Sequence, residues 1–167
     1  AIIQVQKKAS PGSPILVISN TWKNHIDYGF SKEEVGYLDG YFKDATKKQH
    51  SFNSCGRIIS VLLVDTKKEA HIVLENCRKH GGSVADMLNG LKGKDLNIYN
   101  ATKQVSYSYA AAEGAALANY QFIKHKTTAK DQKNTLQHIH LIGSGFDTKV
   151  LNKLNIVVDA TAKARDL

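Results

Sequence analysis

The order of apolar runs predicts an α/β fold: a layered domain whose central sheet is largely parallel and flanked by helices. Three observations carry this. Short, nearly continuous apolar runs at 14–19, 57–65, 96–101 and 136–142 read as buried strands. Between them, apolar residues recur every three or four positions, as along one side of a helix. The joints are short and polar, and no repeat or low-complexity tract interrupts the alternation.

Pro14–Ser19, P-I-L-V-I-S, is rich in branched residues and bounded by turn formers, which suits a strand apolar on both faces. Ser31-Lys32-Glu33-Glu34 opens like a helix cap, and Val35, Leu38, Tyr41 and Phe42 give the following turns an apolar side. Arg57–Asp65 is the second strand. From Thr66 to Leu91 the spacing of Ala70, Val73, Cys77, Gly81, Val84 and Leu88 predicts one long helix, with a possible kink at Gly81-Gly82. Leu96–Ala101 is a third strand.

Ser106–Thr128 reads as helix throughout. Tyr109, Ala112, Ala116, Tyr120 and Ile123 recur at helical spacing beside a row of small residues, Ala110, Gly114 and Ala118. That row predicts close packing on the sheet. A serine near the start can cap the helix, and Lys124, His125 and Lys126 suit its negative end. Leu136–Ile142 is another strand, Gly143-Ser144-Gly145 its turn, 150–156 a weak apolar pattern and 157–167 a final helix.

A length of 167 residues with 42% hydrophobic content allows one domain with a real core and argues against disorder. Neither a secretory leader nor a run of ~20 apolar residues is evident, so the expectation is a cytoplasmic protein with no membrane partner. Cys55 and Cys77 lack metal or redox spacing; buried thiols are expected, with a single disulfide as the alternative. The net charge of +8 raises the possibility of nucleic-acid binding. Nearly all of it is scattered lysine, however, with Arg57, Arg78 and Arg165 the only arginines. Lysine lacks the planar fork that grips phosphate in two places, so weak binding is expected.

Gly143 to Thr148 could present amides to a phosphate, but it lacks the third glycine of a dinucleotide fingerprint and the lysine of a phosphate loop, and reads as a plain turn. His138 and His140 share one face of a strand, yet no Cys, Asp or Glu lies within two residues to complete a metal site. His25 and Asp27 share a face without an identifiable nucleophile. Glu113 is either a buried acid or a solvated one. No catalytic, cofactor-binding or metal residue is assigned.

Two segments carry a resemblance. Ala111–Lys126, A-A-E-G-A-A-L-A-N-Y-Q-F-I-K-H-K, resembles the last helix of the N-terminal domain of leucyl (cytosol) aminopeptidases, although Ala118 stands where the family has glycine. Ala160–Leu167, A-T-A-K-A-R-D-L, resembles the start of the segment leading into that family's catalytic domain. The resemblance implies a three-layer, macro-like domain with a mixed, mostly parallel sheet over residues 1–156, then at 157–167 the start of a linker helix. It also implies a metallopeptidase parent that holds two divalent ions, zinc or manganese, in a C-terminal catalytic domain and forms a hexamer. Glu113, Gly114, Leu117, Tyr120, Phe122, Arg165, Asp166 and Leu167 match the family's pattern, as structural or linking residues. This chain alone would be inactive, serving assembly and access. The alternative is a free-standing macro-like module for ADP-ribose or nucleic acid.

Overall fold

A computed structural model of the chain describes residues 1–23, 28–122 and 133–166. The elements are β1 (Ile2–Gln6), β2 (Ile15–Ser19), α1 (Lys32–Tyr41), β3 (Gln49–Ser54), β4 (Arg57–Leu63), α2 (Ala70–Gly90), β5 (Asp95–Asn100), α3 (Val105–Ala118), β6 (His138–Ile142) and α4 (Thr148–Arg165). The six strands form one sheet in the order β1-β6-β5-β2-β4-β3. All neighbours are parallel except β3, which runs antiparallel to β4 at one edge. This is the expected mostly parallel, three-layer α/β architecture.

Strand alternation divides the core in two. Ile3, Leu16, Ile18, Ile58, Leu62, Leu96, Ile98, Ile139 and Leu141 point to one face, where α2, α3 and α4 cover them. Ile15, Val17, Ile59 and Val61 point to the other, under Phe30, Val35 and Leu38. Leu38 of α1 is fully buried there, worth about 2 kcal/mol of apolar transfer. The cap read from Ser31 is present in both directions: Glu34 N–H donates to Ser31 Oγ, and Ser31 N–H to the Glu34 carboxylate. That carboxylate also holds Arg57 at 3.1 Å.

Helix α2 runs unbroken through Gly81-Gly82, and its glycines serve packing. A Cβ on Gly81 would stand 2.0 Å from the carbonyl oxygen of Ala111, and one on Gly114 would stand 2.0 Å from that of Arg78. The two helices therefore touch backbone to backbone at both points. This corrects the expected role of the small-residue row: Gly114 and Ala118 lie against α2, not against the sheet. The flanking alanines, Ala111, Ala112 and Ala115, are fully buried in the core of that face.

Three further expectations are corrected. Helix α3 stops at Ala118 because side chains capture the next residues: Asn119 donates to Leu136 O and accepts from Asn89, while Asn134 donates to Asn119 O. Tyr120 is thus outside the helix, and Ile123 to Thr128 lie outside the described residues. No serine caps α3; its first residue follows Gln104, which makes no side-chain cap. At the C-terminus the pattern over 150–156 and the helix over 157–167 are one helix, α4, opened by Asp147 accepting from Lys149 N–H. Position 156/157 falls inside it.

Two strands had not been anticipated, β1 and β3. Strand β3 forms a hairpin with β4 through Cys55-Gly56, whose φ values of 51° and 90° are those of a tight two-residue turn. At the other edge Asn155 of α4 acts as a substitute strand, accepting from Ile3 N–H at 2.9 Å and donating to Ile3 O at 2.8 Å. No helix of the described residues is long and apolar enough to cross a membrane.

Candidate functional site

The second face of the sheet changes character between β2 and β5. Over β2 and β4 it is apolar and lies under α1; over β5, β6 and β1 the register lines up polar rows. Ile2, His138 and Asp95 form one row, Gln4, His140 and Asn97 the next. Among the described residues, no helix covers these rows. The connection from β1 to β2 passes beside them, and with Ile15, Tyr28, Arg57 and Tyr99 it lines a cleft of about 390 Å³.

At the starts of β5 and β6, Asp95 is cross-strand partner to His138 and diagonal to His140. Its Oδ1 lies 3.2 Å from His138 Nδ1 and 3.1 Å from His140 Nε2. The opposite nitrogen of His140, Nδ1, is 3.1 Å from the side-chain amide of Gln4 on β1. Neighbouring strands thus bring Asp95, His138 and His140 together, with Gln4 of β1 on the far side of the His140 ring. His140 is mostly buried, whereas Asp95 and His138 have side-chain exposures of 47% and 39%. The pair of histidines was legible in the sequence; Asp95 was not, because it lies 43 residues before His138. Strand pairing, not nearness in sequence, brings Asp95 beside the two histidines.

The other candidates resolve differently. The Gly143 amide of the glycine turn donates to Gln6 O and so continues the β1–β6 ladder instead of facing a ligand. Both cysteines are unpaired. Cys77 is buried as expected, and burial pushes its thiol up to about 11, which keeps it protonated and inert. Cys55 is exposed in its hairpin turn, a correction. Glu113 is half-buried and bound to Arg78 at 2.6 Å. His25 and Asp27 lie outside the described residues.

A buried pair went unnoticed in the sequence. Ser60 Oγ meets His80 Nε2 at 2.7 Å and Ser51 Oγ at 2.6 Å, and burial pushes the His80 imidazole down to about 4. With the ring neutral, Ser51 can donate to Ser60 and Ser60 to the imidazole, so each group is satisfied. Ser60 is 0% exposed, which makes this a structural link between β3, β4 and α2.

The arginines are all committed to the fold. Arg57 binds Glu34 and the carbonyls of Ser13 and Gly29; Arg78 binds Glu113; Arg165 reaches Leu117 O at 3.4 Å. Lys7, Lys8, Lys48, Lys67, Lys68 and Lys133 are exposed, as a solvated lysine surface requires.

The two segments that carry the family resemblance meet in space. Tyr120 donates to Asp166 at 2.7 Å, and the Arg165 guanidinium lies 5.6 Å from the Tyr120 ring centre. The end of α3 is thereby clasped to the end of α4. Leu167, Lys124, His125 and Lys126 lie outside the described residues.

No family model matches this chain, and no curated protein matches it. Among solved structures, its fold is similar to that of a tomato leucine aminopeptidase variant, with a TM-score of 0.68 at 12% sequence identity. The match takes in 97% of this chain and 36% of that one, so the chain spans about a third of the aminopeptidase's length. At this identity the likeness is one of fold, and it falls on the family that 111–126 and 160–167 resemble.

Proposed function

We propose that this chain is the N-terminal, macro-like domain of a leucyl-aminopeptidase-like metallo-exopeptidase, itself non-catalytic, serving assembly of the parent enzyme and access to its active site. The carrying observation is that nearly the whole chain superimposes on about a third of a leucine aminopeptidase. The clasp of Tyr120, Arg165 and Asp166 supports it, because it fixes the direction in which α4 leaves the domain. In this reading the parent is a cytoplasmic hexamer whose two divalent ions, zinc or manganese, lie in a C-terminal catalytic domain. The described residues do not fit that two-ion centre. They offer a single group able to hold an ion, with one carboxylate, whereas a two-metal clamp needs ligands for a pair about 4 Å apart.

Two measurements test the proposal. The purified chain, given zinc or manganese, should release no chromophore from leucine anilide; sustained turnover would sink the non-catalytic role. The reading frame should continue after Leu167 into Val-Asn-x-Pro and a metallopeptidase domain. A stop codon there, together with saturable binding of ADP-ribose, would replace this reading with a free-standing module.

A further inference from the structure

We propose that Asp95, His138 and His140 form a three-ligand site for a divalent transition-metal ion of the zinc class, with a coordination position left open to solvent. The inference does not rest on the aminopeptidase reading, since it concerns this chain's own sheet.

Chemistry and geometry agree. Two imidazoles and one carboxylate are a donor set that zinc takes with three protein ligands, the remaining position going to water or a substrate. Their ligand atoms all lie within 4.8 Å of one another. Zinc bonds of about 2.0–2.1 Å at tetrahedral angles set neighbouring donors about 3.3 Å apart. The Asp95 Oδ1 separations from His138 Nδ1 and His140 Nε2, 3.2 and 3.1 Å, match that spacing. An ion entering would replace the imidazole protons that otherwise join the rings to the carboxylate.

The surroundings favour a site over a chance cluster. His140 is held between Asp95 and Gln4, so its ring is oriented from both sides. Binding through Nε2 requires the proton on Nδ1, and Gln4 then accepts it through its amide oxygen after an amide flip. The strands fix the spacing, because the ligands occupy adjacent positions in one β5–β6 register. Half-exposure of Asp95 and His138 leaves a path for ion and water. Lys92, Lys94 and Lys133 line a cavity of about 820 Å³ together with His138, so one of the three ligands borders a positively charged space.

The test is titration of the metal-free 167-residue chain with zinc chloride, followed by calorimetry and by nitrogen-detected imidazole signals. One ion per chain should bind with a Kd in the micromolar range or below, shifting the His138 and His140 signals and leaving His80 unmoved. The double variant Asp95→Asn/His140→Gln should weaken binding by more than the roughly hundredfold that loss of an outer-shell partner can cause. Gln4→Leu should weaken it about tenfold. His71→Gln, which alters an exposed histidine paired with Glu69, should leave it unchanged. Absence of saturable binding, shifts confined to other histidines, or full affinity in the double variant would each overturn the proposal. The imidazole signals of the unaltered chain decide it even if a variant misfolds.

Discussion

The two faces of the sheet are built from the same strands and have opposite tasks. One is closed by three helices, two of them in backbone contact, and its buried polar groups are few, with Ser108 Oγ of α3 lacking a hydrogen-bond partner. The other is closed by α1 over β2 and β4, then passes to polar rows over β5, β6 and β1. Where burial is complete, composition is dictated by packing. Where helical cover ends, the strand register can gather groups such as Asp95, His138 and His140 at small cost to the fold.

The largest expected effect breaks the closed face. Gly114→Leu must force its Cβ into the Arg78 carbonyl, a backbone atom that cannot swing aside. Destabilisation should exceed the usual overpacking cost of about 3 kcal/mol, measured by urea unfolding. A loss under about 1 kcal/mol would mean that the helices can separate cheaply.

Next comes pH. The imidazole of His80 is near 4 in the fold, against about 6.5 in an unfolded chain. Between these values the unfolded chain holds the extra proton, so stability is fully present above about pH 6.5 and falls as pH drops towards 4. The loss should total about 3 kcal/mol. Urea midpoints across this window should follow that slope, and His80→Gln should flatten it. An unchanged slope would show that His80 is not buried neutral.

The smallest effect belongs to the open face. His138→Ser, in metal-free buffer, should change stability by no more than about 0.5 kcal/mol, because the ring is half-exposed. A loss of about 2 kcal/mol or more would erase the contrast between the faces.

How much was legible in the sequence follows the same division. β2 and β4 were readable because parallel strands buried on both sides leave continuous apolar runs such as Ile15–Ile18. β3 was not, since Gln49–Ser54 carries polar residues on both faces, and β1 was not, since the alternation of Ile2–Gln6 lasts only five residues. The long reading of α3 failed at Asn119, where links to Asn89, Leu136 and Asn134 override a helical pattern that local spacing would have continued. The candidate site was half legible. Alternation placed His138 and His140 together, but nothing in a single sequence says which strand lies beside them.

The strand order also has a temporal meaning. Ile3 pairs with Ile139, so the earliest of the six described strands finds its described sheet partner only in the last of them. During synthesis β2, β4, β3 and β5 can assemble while Ile2, Ile3 and Val5 wait, exposed, for β6 and for the Asn155 amide that seals their outer edge. Such distant pairing slows closure and leaves an apolar segment exposed meanwhile. Pulsed hydrogen exchange during refolding should therefore find the β2 and β4 amides protected before that of Ile3, and simultaneous protection would refute this order.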